Sequence, residues 1–172
     1  MPFGLGYILI GLIYSPSVVT GLHQMYTTID VSMLGQYGVT YWLPIASAAN
    51  IAQGGACLAV ALKTKSEKTK SLAIPSGISC LLGITEPAIF GVNLKYMFPF
   101  VCGMTGSALA GMFSVLTGCM ASSIGVGGLP GILAMQPQSM LPYLLCMAVA
   151  IVVPFVLTYI VGKRQGIDKQ AQ

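Results

Sequence analysis

Four apolar stretches, residues 3–19, 39–62, 98–116 and 141–161, run almost unbroken along the chain. Each approaches or exceeds the roughly 20 residues that a helix needs to span a bilayer. The apolar positions are continuous and do not alternate in short segments, which argues against a transmembrane β-barrel. Two further segments are apolar overall yet interrupted. Residues 20–38 carry His23, Gln24, Thr27, Thr28, Asp30 and Gln36, and residues 71–96 carry Pro75, Gly77, Gly83, Glu86, Pro87, Gly91, Asn93 and Lys95. Broken backbone at membrane depth persists only where protein or a watery cavity satisfies its polar groups. Both segments are therefore predicted to be re-entrant hairpins, discontinuous elements of the kind that build substrate sites near the bilayer midplane. The predicted class is an all-α, polytopic transmembrane helical protein.

Composition agrees with this class and charge gives it a direction. Of 172 residues, 55% are hydrophobic and only 7% charged, with a mean hydropathy of +0.83; soluble domains are about one-quarter charged. Positive residues cluster twice, as Lys63, Lys65, Lys68 and Lys70, and as Lys163, Arg164 and Lys169. Short basic loops stay cytoplasmic, so both clusters are predicted on that side. Residues 98–116 then cross outward and 141–161 return, while 39–62 cross inward and 3–19 outward. On this reading residues 1–162 form one membrane unit and 163–172 a cytoplasmic tail. The net charge of +4 is explained by topology and is no signal for nucleic acid. Met1-Pro2-Phe3-Gly4 opens no recognisable signal peptide, since it has no positive charge and no small-residue cleavage site follows. A start inside a longer protein is compatible with that.

Cys57, Cys80, Cys102, Cys119 and Cys146 lie in apolar surroundings without C-x-x-C spacing, which reads as small buried hydrophobes and not as a redox or zinc site. The glycine-rich stretch 123–133 lacks the Gly-Lys-Ser/Thr ending of a phosphate-binding loop. It is read as a tight structural connection between the last two spans.

The candidate chemistry centres on Glu86. An ionisable group inside a membrane segment costs about 2.5–3.5 kcal/mol on insertion scales, so it is a functional candidate by default. Pro87 biases Glu86 away from helical geometry, which would aim its carboxylate into an opening. There it can accept sugar hydroxyls or take the proton of an attacking hydroxyl. The bland alternative is a structural carboxylate paired with Lys95 or His23. His23 is the only histidine; with no second ligand at metal spacing, a metal role is disfavoured. Gln24, Asp30, Asn50, Gln53, Thr85 and Asn93 add hydroxyl-binding groups. Asn50 and Gln53 share a helical face, where helix packing competes with sugar contact. Trp42, Tyr37, Tyr41, Tyr96 and Tyr143 fit an interfacial belt, although an aromatic ring can also stack on a sugar.

The run Gly83-Ile84-Thr85-Glu86-Pro87-Ala88-Ile89-Phe90-Gly91 resembles the signature of enzyme IIC domains in the glucose–glucoside branch of the phosphotransferase system. The likeness continues through Ala49-Asn50-Ile51-Ala52-Gln53-Gly54 and Val92-Asn93-Leu94-Lys95-Tyr96. Gly21-Leu22-His23-Gln24-Met25 with Ile29-Asp30, the block 123–133, and Val153-Pro154-Phe155-Val156-Leu157-Thr158 look most like trehalose permeases. Sucrose permeases share the first blocks but more often carry a second histidine where Gln24 stands. The resemblance implies a partial enzyme IIC fold in a bacterial inner membrane, with a disaccharide held between two hairpins by His23 and Glu86. A phosphorylated IIB domain, recharged by upstream proteins of the system, would transfer its phosphoryl group to the sugar 6-hydroxyl, giving trehalose 6-phosphate from trehalose. Thr85, Asn93, Asn50, Gln53 and Gln24 are the accompanying substrate-binding candidates. No cofactor is implied.

A full enzyme IIC domain has further N-terminal spans, which form most of a homodimer interface. None of the cysteines here is followed by the Thr-Arg that marks the phosphorylated cysteine of IIB. The chain is thus expected to be the C-terminal, substrate-binding part of a larger protein and inactive by itself. Two rival readings are a proton-coupled sugar transporter, in which Glu86 and His23 relay protons, and a non-catalytic remnant.

Overall fold

The computed structural model describes residues 5–165. Helices dominate, and among the described residues no strand forms beyond isolated bridges at Thr40, Ala121 and Met135. The elements are α1 (Leu5–Val19), α2 (Met25–Tyr37), α3 (Trp42–Lys63), α4 (Glu67–Leu81), α5 (Glu86–Ala88), α6 (Leu94–Tyr96), α7 (Phe98–Leu116) and α8 (Met140–Gln165). A π-helical turn, Ile89–Asn93, joins α5 to α6.

Three described helices are long and apolar enough to cross a membrane: Trp42–Lys63, Phe98–Leu116 and Pro137–Arg164. With 22 residues, α3 is about 33 Å long at 1.5 Å per residue, enough for a hydrocarbon core. The remaining predicted span holds α1, which has 15 described helical residues and is about 22 Å long by the same rise. Apolar side chains on α7 and α8, among them Val101, Leu109, Leu141, Leu145, Val152 and Val156, stay exposed on the outer surface, the arrangement a lipid-facing wall requires.

The middle of the molecule is α3, which packs on α4, α7 and α8 and touches α1. Lipid gives little hydrophobic drive between helices, so they associate through close packing of small residues. Gly55 meets the α8 backbone, where an added Cβ would stand 2.7 Å from the Ile151 oxygen. On α7, a Cβ at Gly106 would come within 2.5 Å of the Pro154 ring. All five cysteines are buried and unpaired in disulfides, as their apolar surroundings predict.

Residues 67–96 form a helical hairpin beside α3. Ser66 caps α4 by accepting from the Thr69 backbone amide at 3.4 Å. The helix continues through Pro75 to Leu81, and the chain reverses at Gly83, whose φ of +97° favours glycine. The return arm brings the Tyr96 hydroxyl 3.4 Å from Thr69 Oγ1 at the base of the hairpin. Its inward face is Thr85, Ala88, Ile89, Val92, Asn93 and Tyr96, all buried, at i, i+3, i+4, i+7, i+8 and i+11. That helical periodicity buries one stripe and leaves Glu86, Pro87 and Phe90 exposed. Met97, at φ +60°, breaks the arm before Pro99 sets the first turn of α7.

The glycine-rich connection, read from sequence as a tight structural link between the last two spans, also packs back onto the rest of the fold. Thr40 and Ala121 exchange backbone hydrogen bonds at 2.8 and 2.9 Å, so the segment folds back over the start of α3. It then reaches the hairpin tip, where Gly83 and Gly127 leave no space for a Cβ between them. Gly128, at φ +79°, sits equally tight against the Leu81 carbonyl. The Tyr143 hydroxyl donates to the Gly128 carbonyl from α8. Tyr143 is fully buried and anchors this loop, so it is not the interfacial belt residue that its composition suggests.

Candidate functional site

Above the hairpin tip, α2, the first turns of α3 and the glycine-rich loop enclose a cavity of about 140 Å³. His23, Asp30, Trp42 and Asn50 line it with Tyr14, Tyr26 and the loop residues Ile124, Gly125 and Gly127. The chain folds here for local reasons. Gly21 takes φ +76° and lets the backbone turn from α1 into the short 3-10 turn Leu22–Gln24. Gly38, at φ +70°, ends α2 by donating to the Leu34 carbonyl. Asp30 is buried and accepts the Thr40 hydroxyl at 2.5 Å, and Thr40 Oγ1 in turn accepts the Trp42 amide at 3.1 Å. A carboxylate at the N-terminus of α3 is favoured by the exposed amides and helix dipole there.

Two residues that line this cavity each carry a buried ring nitrogen with no hydrogen-bond partner, His23 Nδ1 and Trp42 Nε1. Gln24 Nε2 lies 3.2 Å from His23 Nε2. An amide donating there places the ring proton on Nδ1. Both orphan atoms are then N–H donors, carried by two residues that line one cavity. Tyr26 packs between its neighbours, 5.5 Å from the Tyr14 ring and 4.5 Å from the Trp42 ring. The result is an apolar, aromatic wall with a few polar groups, the usual character of a small-molecule site.

Asn50 ties the cavity to the hairpin. Its Nδ2 donates to the Gly83 carbonyl at 3.4 Å, and Gly127 lies so close that an added Cβ would be 2.7 Å from the same nitrogen. Thr85, two residues beyond Gly83, is buried, and Glu86 follows it at the surface of the chain. Glu86 lies within electrostatic reach of Tyr14, as does Asp30. Lys95, the suggested structural partner of Glu86, sits over the Tyr96 ring, 5.5 Å from its centroid.

The sequence-derived candidates thus separate into groups. His23, Asn50 and Asp30 share the cavity, Gln24 braces His23 from the exposed side, and Thr85 and Glu86 stand at the adjoining tip. Gln53 and Asn93 lie elsewhere. They are 1% and 0% exposed and bond to each other, with Asn93 Nδ2 2.8 Å from Gln53 Oε1 and 3.0 Å from the Gln53 carbonyl. Among the described residues, no group of three or more His, Cys, Asp or Glu gathers as a metal site.

Sequence reasoning does not single out Tyr14 or Tyr26, reads the loop 123–133 as a structural connection and puts Trp42 in a belt. The one available signal was Trp42 as the sole tryptophan. Nothing in the sequence announced that a loop sixty-odd residues after α3 would return to its first turns.

Residues 1–107 match the family described as phosphotransferase system, EIIC. The trehalose-specific EIIBC component of Escherichia coli K12 is 44% identical over 161 residues, covering 94% of this chain and 34% of that protein. The trehalose-specific EIIBC component of Bacillus subtilis 168 is 47% identical over 156 residues, covering 90% and 33%. The sucrose-specific EIIBC component of Pasteurella multocida Pm70 is 43% identical over 162 residues, covering 92% and 34%. The chain therefore spans about one third of the length of the curated relatives it matches. No solved structure shows significant similarity. The family match over residues 1–107 and the relatives aligned along most of the sequence agree with one another: the chain belongs to the phosphotransferase system EIIC family.

Proposed function

We propose that this chain is the sugar-recognising part of a permease that takes up a disaccharide, with trehalose the preferred substrate, and couples its passage to phosphorylation at the 6-hydroxyl. The observation that supports this reading is that His23 and Trp42, each with a buried and unpartnered ring nitrogen, line one cavity, which is bonded through Asn50 to the tip that bears Glu86. An unsatisfied buried donor costs about 1–3 kcal/mol, and a sugar presents acceptor hydroxyls that would remove that cost. Asp30 and Asn50 supply further polar contacts, and Gln24 and Thr85 hold His23 and Glu86 in place or reach the sugar themselves.

Glu86, exposed beyond buried Thr85, meets a hydroxyl projecting from the cavity. Its carboxylate takes the hydroxyl proton while the sugar oxygen bonds to phosphorus. The phosphorus–sulfur bond to a IIB cysteine breaks and the thiolate leaves. Positioning and charge stabilisation dominate such transfers, which fits a cavity with the Glu86 carboxylate at its adjoining tip.

The same reading places the Lys63–Lys70 loop and the C-terminal tail in the cytoplasm, with residues 20–38 and 71–96 as re-entrant hairpins. Further N-terminal spans, a homodimeric partner copy and the IIB domain complete the machine. Trehalose is favoured over sucrose by the trehalose-specific names of two relatives and by Gln24, where sucrose permeases more often carry a second histidine. The test is phosphoenolpyruvate-dependent phosphorylation by membranes containing the full-length permease, over trehalose, sucrose, maltose and a β-glucoside. Trehalose 6-phosphate is the expected major product. Accumulation of unmodified sugar would contradict the reading in favour of coupled secondary transport.

A further inference from the structure

Gln53 is buried at the junction of four elements. Its Nε2 donates to Ser15 Oγ on α1 at 3.0 Å and to the Phe100 carbonyl on α7 at 3.3 Å. Its Oε1 accepts Asn93 Nδ2 from the end of the π-helical turn at 2.8 Å. The neighbouring backbone makes room for this amide, because a Cβ at Gly103 would stand 2.6 Å from Gln53 Nε2. Each amide N–H group is thus used inside the protein, and neither residue lines the cavity. This is more hydrogen bonding than holding two helices together requires, and it falls on an irregular arm.

The arm 86–96 is short and contains a π-turn, so its rotation about its own axis is weakly set by backbone alone. The buried stripe from Thr85 to Tyr96 shows that one rotation is selected. A rotation of one residue position is about 100° in a helix, enough to exchange Glu86 with Thr85 between surface and interior. Asn93 is the polar member of that stripe whose side chain reaches α3, and by way of Gln53 it is locked to α1 and α7 as well.

We infer that Gln53 and Asn93 are positioning residues: a buried amide lock that sets the rotation of the hairpin's return arm and so the direction in which Glu86 is presented. The inference rests on the proposed role of Glu86. It predicts that the lock acts through that carboxylate and not through bulk stability.

The test is a double-mutant cycle in the full-length permease with its IIB domain, reading trehalose phosphorylation rate and equilibrium trehalose affinity. Asn93→Ala should lower the phosphorylation rate about tenfold in the wild-type background and less than twofold beside Glu86→Gln, because coupled residues are non-additive. The paired exchange Gln53→Asn with Asn93→Gln should recover part of the rate. Equal loss in both backgrounds would overturn the lock while leaving Glu86 in its role. A silent Glu86→Gln would instead sink the role of Glu86 itself. If Asn93→Ala does not fold, Gly103→Ala, which crowds the Gln53 amide without removing it, runs the same cycle with the same expected pattern. Additive losses there overturn the lock equally.

Discussion

Gly83 and Gly127, far apart in sequence, cross backbone to backbone at the hairpin tip, with no room for a side chain between them. Gly83 also holds φ +97°. An alanine there meets the strained conformation, about 1–3 kcal/mol, together with a clash against the Gly127 carbonyl. Gly83→Ala should lower the melting temperature of the purified full-length permease and abolish trehalose phosphorylation. Gly35→Ala is the contrast. Gly35 lies inside α2 with nothing near an added Cβ, so alanine should be neutral or stabilise by about 0.5–1 kcal/mol. Equal melting temperatures for the two variants would remove the crossing from the account.

Trp42 offers a sharper probe of the cavity. Trp42→Phe keeps an aromatic ring against Tyr26 but deletes the unpartnered indole N–H. A hydrogen bond lost to a sugar oxygen is worth about 0.5–1.5 kcal/mol, so trehalose affinity measured by calorimetry should fall about three- to tenfold. Trp42→Ala should cost more, since it also opens the aromatic wall. Unchanged affinity in Trp42→Phe would mean that the indole does not meet the sugar.

The five cysteines supply a test that needs no substrate. Each is buried, and thiol reagents reach only exposed thiolates. Peptide mass spectrometry of maleimide-treated native permease should find all five unlabelled, and labelled after denaturation. Rapid native labelling of Cys57 or Cys80 would show that α4 does not pack on α3 as described.

Expressed alone, this chain should neither phosphorylate nor transport trehalose, even with a phosphorylated IIB domain supplied. Its relatives are about three times longer, and α1, α7 and α8 expose apolar faces. Sugar-dependent transfer of phosphate by the isolated chain would refute this.

Helices were the most legible part of the sequence. Long apolar runs with few charges announce their own boundaries, and α7 occupies the predicted 98–116. The ends of α3 and α8 moved by a few residues because caps and packing, not hydropathy, decide them. Glu86 and His23 could be singled out because a lone charge or histidine in an apolar segment is costly. What was not legible is contact between distant segments. Gln53 and Asn93 look like sugar-binding amides in one dimension, and only their 2.8 Å pairing shows them used internally. The loop 123–133 reads as a turn until its glycines are seen beside Leu81, Gly83 and Asn50. Tyr143 and Trp42 fit a membrane belt by type, while Tyr143 is buried as a loop anchor and Trp42 lines the cavity.

The most direct measurement is the rate of trehalose 6-phosphate formation by the full-length permease carrying Glu86→Gln, with phosphorylated IIB in excess. Glutamine keeps the size and hydrogen-bonding reach of the side chain but cannot take a proton. The rate should fall at least about a hundredfold, the scale of lost general-base catalysis, with the protein still folded and trehalose still bound. A rate within twofold of the unmodified permease would contradict the account.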